Sequence, residues 1–113
     1  MKEKEIEAKL KKAIEKEGGL FIKLNDEIGR PDRIAVFKDD FYFVEVKREK
    51  GKLSLSQKQA INRLIQLGFK VCVIFGYDKT LSLSQLFQKF LITEAYYVKL
   101  DVPDYLFISS IIR

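Results

Sequence analysis

Histidine is missing altogether from this chain of 113 residues, and cysteine occurs once. Without histidine there is no Ser-His-Asp or Cys-His catalysis, no His-metal nuclease and no zinc site of the Cys/His kind. If the chain is an enzyme, its chemistry rests on carboxylates, lysines and a metal ion. A single cysteine permits no internal disulfide, which points to a reducing compartment. Cys72 lies in the apolar run Val71-Cys-Val-Ile-Phe75 and reads as a buried core thiol. No apolar run approaches the length of a membrane span, and the N-terminus is charged rather than signal-like. The expectation is a soluble, cytoplasmic protein with no membrane partner.

What the chain does have is apolar and charged in useful proportion. With 47% hydrophobic and 12% aromatic residues, a single modest domain can bury a core without disulfide staples. Lys and Arg number 21 against 16 Asp and Glu, for a net charge of +5. That is a mild bias toward polyanions, nucleic acid among them.

Residues 3–17 place Ile6, Leu10, Ala13 and Ile14 at amphipathic-helix spacing among alternating Glu and Lys. Most of those glutamates solvate the helix, but Glu7 borders the apolar stripe. Gly18-Gly19 end the helix. Leu20–Leu24 is a short strand interrupted by Lys23, and a loop runs to Gly29. Two strands follow, from Asp32 to Phe37 and from Phe41 to Lys47. Both of their faces are apolar, which predicts helices on both sides of the sheet. After the charged loop Arg48–Lys52, Ser54-Leu-Ser-Gln57 reads as a capping box. The helix it opens runs to about Leu67, with Ala60, Ile61, Leu64 and Leu67 inward and Gly68 ending it. Gln57 faces the sheet in the first turn, where capping accounts for it as well as a site role does. Val71–Phe75 reads as a central strand, parallel to its neighbour because a helix intervenes.

Beyond Gly76, Leu81-Ser-Leu-Ser-Gln85 repeats the letters of residues 53–57 and reads as a second capping box. Phe87, Phe90 and Leu91 suggest a short helix. Tyr96–Val98 and Tyr105–Ile108 are strand-like around Val102-Pro103-Asp104, fitting an added hairpin, an oligomer contact or a DNA-facing lobe. Residues 1–76 thus form the core and 77–113 an extension of the same domain.

The stretch Gly29–Lys47 carries the chemistry. Side chains alternate along a strand, so Glu45 and Lys47 share a face. If Lys38-Asp39 are the turn residues, Asp32 faces Glu45, with Cβ atoms roughly 4.5–5.5 Å apart. If Asp39-Asp40 turn instead, Asp32 faces Lys47 and stays diagonal to Glu45. A three-residue loop without a bulge throws Asp32 to the other face. Two carboxylates at the open end of adjacent strands suit Mg²⁺, a hard cation that prefers oxygen ligands. A nearby lysine can hold a water or steady phosphoryl charge. A salt-bridged trio at a strand end is the plainer alternative.

Taken in order, the helix with an inward Glu, Gly-Gly, Lys23, Gly29-x-Pro31-Asp32-Arg33, Phe-Val-Glu45-x-Lys47, Gly51-x-Leu53-Ser54-x-x-Gln57 and the Leu-Gly68-Phe-x-Val strand resemble the virus-type replication-repair nuclease (VRR-Nuc) domain. That family belongs to the wider restriction-endonuclease-like, Asp…Glu-x-Lys nuclease group, and the resemblance spans residues 3–76. It implies an α/β fold with a restriction-endonuclease-like αβββαβ core, a mixed sheet flanked by helices, and a Mg²⁺- or Mn²⁺-dependent phosphodiesterase. By the resemblance, Asp32 and Glu45 are metal ligands, and the Val46 carbonyl completes the shell. Lys47 is the catalytic lysine, Gln57 a supporting residue, and Glu7 the helix acid that reaches the metal, with Glu3 and Glu5 close enough to compete for that part. Lys23, Arg30, Arg33, Arg48, Lys50, Lys52 and Lys58 are candidate phosphate contacts. The resemblance further implies a homodimer from a bacterial or viral source, acting on branched DNA such as four-way junctions. A catalytically silent scaffold that binds branched DNA is the rival from another class, and a small structural or assembly protein a third.

Overall fold

The computed structural model describes residues 1–25 and 31–96. Its elements, in chain order, are α1 (Glu3–Lys16), β1 (Leu20–Lys23), β2 (Arg33–Phe37), β3 (Asp40–Lys47), α2 (Leu55–Gln66), β4 (Val71–Phe75) and α3 (Leu83–Phe90). The αβββαβ order is the one the sequence predicts, with α3 added.

In α1, residues Ile6, Leu10 and Ile14 recur every fourth position and are fully buried. Glu3 and Glu5 in its first turn and Lys16 in its last complement the helix dipole. The helix ends in a Schellman motif: Gly18 N–H donates to Glu15 O at 3.0 Å and Gly19 N–H to Ile14 O at 2.9 Å. Gly18 takes the left-handed conformation, at φ +82°. Gly19 is needed for another reason. A Cβ there would lie 2.3 Å from the Val36 carbonyl oxygen and 2.9 Å from Phe37 Cβ, so only a bare backbone lets the chain pass this close to β2.

The sheet order is β1-β2-β3-β4. The first three strands form an antiparallel meander, and β4 returns through α2 to lie parallel to β3. Phe37 pairs with Asp40, so Lys38 and Asp39 are the turn residues. Their φ values of 53° and 62° identify a type I′ turn, made here without glycine. The pairs step down the hairpin to Arg33 opposite Val44.

Helices cover both faces. On one, α1 and α3 pack against Ala35, Phe37, Val44, Val46, Cys72 and Ile74. On the other, Ile61 and Leu64 of α2 pack against Phe43, Val71, Val73 and Phe75. Cys72 is the buried thiol expected, and burial pushes its pKa up to about 12. No helix among the described residues is long and apolar enough to cross a membrane.

Two details differ from the sequence reading and a third is new to it. Leu67 is 56% exposed rather than inward, because it is the C-cap and lies past the last full turn. Second, among the described residues β4 stands at the end of the sheet order rather than in its middle. On its outer side an antiparallel bridge joins Cys72 to Leu91, and Ile92 N–H donates to Val71 O at 2.9 Å. The third is Asn62, fully buried in α2, whose side-chain amide accepts from Tyr96 N–H at 2.7 Å and donates to Tyr96 O at 2.9 Å. That pair of bonds fastens the chain leaving α3 to α2.

The second capping box does start a helix: Ser82 Oγ accepts from Gln85 N–H at 3.1 Å, and Gln85 Oε1 from Ser82 N–H at 2.9 Å. Leu83, Leu86 and Phe87 of α3 join the α1-side core. The strand-like stretches beyond Tyr96, read as a hairpin, an oligomer contact or a DNA-facing lobe, lie outside the described residues, as do Gly29 and Arg30.

Gly19→Ala should destabilise the fold by about 3 kcal/mol, since neither β2 backbone nor the end of α1 can move away cheaply. Gly18→Ala meets no atom within 4 Å and should cost about 1 kcal/mol, for the left-handed conformation alone. Urea denaturation of the two variants checks that order.

Candidate active site

The hairpin register sets the site. Asp32 directly precedes β2 and stands one step beyond the Arg33–Val44 pair, which brings it across from Glu45. Its backbone is held from the other side, where Leu24 N–H donates to Asp32 O at 2.7 Å. Glu45 and Lys47 are both half-buried and both on the α2 side of β3. The end of β3 is secured by Gly76 N–H, which donates to Lys47 O at 2.9 Å.

Glu45 has the most perturbed carboxyl of the site. Its pKa is raised to about 7, first by burial; the Lys47 ammonium opposes the rise, while the Asp32 and Glu3 carboxylates add to it. Asp32, Glu45 and Lys47 therefore lie within electrostatic reach of one another. Val46 turns its side chain into the opposite core, where it is 4% exposed, and only its backbone faces this end of the strand.

Gln57 serves two purposes at once. Its Oε1 accepts from Ser54 N–H at 2.8 Å, one arm of the α2 capping box, and its Nε2 donates to Glu45 Oε1 at 2.8 Å. The first bond fixes the amide orientation, since only the oxygen can accept from a backbone N–H. The nitrogen is thereby aimed at the carboxylate.

Glu7 is linked to Asp32 through Arg33. Its Oε2 is bonded to Arg33 Nη2 at 2.6 Å, and Arg33 Nη1 reaches Asp32 Oδ2 at 2.9 Å. The Arg33 side chain is only 14% exposed, so its guanidinium is committed to two protein carboxylates and ties α1 to the Asp32 loop. Among the other candidate phosphate contacts, Lys23, Arg48, Lys50 and Lys52 are exposed and Lys58 is half-buried, while Arg30 is outside the described residues.

Among the described residues no three Asp, Glu or Cys side chains gather closely enough to enclose an ion. Two carboxylates at the ends of adjacent strands still fit Mg²⁺, which is held by one or two protein carboxylates, waters and substrate phosphate. A half-buried carboxyl whose ionisation a second carboxylate opposes is a position where a cation is favoured.

No family model, curated protein or solved structure matches the chain. What the site can do rests on its own residues.

Among the α1 acids that the sequence left in competition with Glu7, the one that Glu45 senses is Glu3, one helical turn before Glu7 on the same side of the helix. Sequence reasoning did not foresee the engagement of Arg33, for which no local pattern exists.

Two outcomes follow from these contacts. A raised carboxyl pKa means that the folded chain holds a proton the unfolded chain has released. Stability is therefore full below about pH 4.5, falls as pH rises toward 7, and stays lowered above it. Glu45→Gln should match the wild type at pH 4 and be more stable at pH 8, as read by denaturation across that range. Gln57→Ala loses both the cap and the donor, and should cost about 1–2 kcal/mol at pH 5. Gln57→Glu keeps the capping box, so it should stay near wild type at pH 5 and fall below it at pH 8, where two carboxylates meet.

Proposed function

We propose that this chain is a Mg²⁺- or Mn²⁺-dependent nuclease of the VRR-Nuc kind, hydrolysing phosphodiester bonds in DNA. The observation that carries the reading is the convergence of Asp32, Glu45 and Lys47 at one end of the β2–β3 hairpin, with Glu45 half-buried and oriented by Gln57.

Asp32 and Glu45 would hold the metal, with the Val46 carbonyl as a third oxygen donor. When bound there, a divalent ion supplies Lewis-acid polarisation of the phosphoryl oxygen and lowers the pKa of a water. Lys47 places a positive charge beside the scissile phosphate, offsetting the negative charge that builds there. Gln57 holds the Glu45 carboxylate in one orientation, and Arg33 does the same for Asp32. Lys23, Arg48, Lys52 and Lys58, with Arg30, would contact phosphates and position the DNA without reading bases. Arg33 serves better as a brace than as a phosphate contact.

The intended substrate is structured DNA, four-way junctions included, and the setting is the cytoplasm. Paired cuts across a junction call for two copies of the site. Leu20 and Ile22 of the edge strand β1, 57% and 42% exposed, leave apolar surface for a second copy. One observation favours the silent scaffold instead: Glu7, the helix acid expected at the metal, is bonded to Arg33.

The test is incubation with Mg²⁺ or Mn²⁺ and linear, nicked, flapped and four-way DNAs. Wild type should cut at least one of them, and Lys47→Ala and Asp32→Ala should each lower the rate about 100-fold or more. Cleavage unchanged in both variants would remove the site from the reaction. Metal-independent binding with no cutting by wild type would favour the scaffold.

A further inference from the structure

A cleft of about 490 Å³ opens just beyond the carboxyl ends of β3 and β4, between α1, α3 and the loop after β4. Its walls carry Lys9 from α1, Lys79 from the loop and Lys89 from α3, all exposed, together with the half-buried rings of Phe75, Tyr77 and Phe90. Phe75 and Phe90 lie 6.3 Å apart, centroid to centroid, and Lys89 Nζ sits 5.3 Å from the Phe90 ring centroid. Two acids, Glu49 and Asp78, also line the cleft. Asp78 is engaged internally, accepting from Thr80 N–H at 3.0 Å and from Thr80 Oγ1 at 2.6 Å. Positive charge prevails, three ammonium groups against two carboxylates.

The cleft adjoins the strand end that carries the candidate site. Phe75 stands opposite Lys47 in the β3–β4 ladder, and the next residue, Gly76, is hydrogen-bonded to the Lys47 carbonyl. The two are joined through this backbone, since the Glu45 and Lys47 side chains are on the α2 side of β3 and the cleft opens between α1 and α3.

We propose that the cleft is a second nucleic-acid subsite, one that takes an unpaired strand: a base against the rings of Phe75, Tyr77 and Phe90, and its flanking phosphates on Lys9, Lys79 and Lys89. Stacking needs the open face of a base, which a paired one does not offer, and a sequence-tolerant binder of single strands combines such rings with a positive groove. The volume is in the range that accommodates a small ligand such as one nucleotide, far short of a duplex. The subsite rests on the nuclease reading for its meaning, as the place that receives the unpaired arm of a branched substrate.

The test measures fluorescence anisotropy of labelled oligothymidylate and of a blunt duplex of equal length, in EDTA so that nothing is cut. Lys79→Gln/Lys89→Gln removes two charges from the cleft, and Lys11→Gln/Lys12→Gln removes two from the exposed flank of α1, so both variants have the same net charge. The cleft variant should bind oligothymidylate about tenfold more weakly, with the salt slope reduced by about 1.4 for two lost contacts. Its affinity for the duplex should change less than about threefold, and the flank variant should change less than about threefold on both probes. Equal losses in the two variants, no loss in the cleft variant, or no binding of oligothymidylate by wild type would each overturn the subsite. If wild type cuts DNA while the cleft variant binds normally, the subsite falls and the nuclease reading stands. If wild type cuts nothing but loses oligothymidylate binding with the cleft charges, the reverse holds.

Discussion

The two-residue turn at Lys38-Asp39 is the constraint on which the rest depends. Side chains alternate with period two, so a slip of one residue would carry every apolar group of β2 to the wrong face and take Asp32 away from Glu45. The turn is not an easy one. Both residues are left-handed without being glycine, at roughly 1–2 kcal/mol each. Neighbouring contacts hold it in place. Lys38 Nζ donates to Ser84 Oγ of α3 at 2.7 Å, and Asp40 is paired with Lys70, whose hydrogen bond lowers the Asp40 pKa. Beneath it Phe37 and Tyr42 pack on Phe87, at 4.9 Å and 5.0 Å between centroids. The described part of the extension after β4 thus secures the hairpin that sets the site, although no acid named at the site comes from it.

A second coupling runs through Gln57. Because one amide both caps α2 and holds Glu45, the start of the helix and the direction of the carboxylate are a single structural fact. Arg33 does a comparable thing on the other side, joining Glu7 of α1 to Asp32. The two acids of the hairpin are therefore braced from opposite faces of the sheet, by different helices.

What was legible in the residues was local. The stripe of α1, both capping boxes, the β4 run and the shared face of Glu45 and Lys47 follow from spacing and alternation over a few residues. The hairpin register was narrowed to three choices, and the structure takes the first. Features that escaped are pairings across the chain. Asn62 is polar, sits beside Ile61, and is buried only because the backbone of Tyr96 comes to meet it. Arg33 looks like any basic residue near a site until α1 presents Glu7 to it. Glu3 and Glu7 differ only in how far along α1 the site lies, a distance fixed by the packing of Ile6, Leu10 and Ile14 on the sheet. The cleft next to Lys47 is assembled from three separate segments, none with a pattern of its own.

The electrostatics of Glu45 give these placements a direction. Burial and two neighbouring carboxylates oppose its ionisation, while the Lys47 ammonium favours it. The bare fold therefore carries a half-buried acid whose pKa burial raises to about 7. A salt-bridged trio built for stability would do the reverse, with the lysine outweighing burial and drawing the carboxyl below its ordinary value. That the balance goes against the charged form sets this cluster apart from the surface pair Asp40–Lys70, where the partner does win. Under the nuclease reading the imbalance has a use. A divalent cation between Asp32 and Glu45 would relieve the repulsion that the apo fold tolerates, so metal affinity and loss of apo stability share one origin.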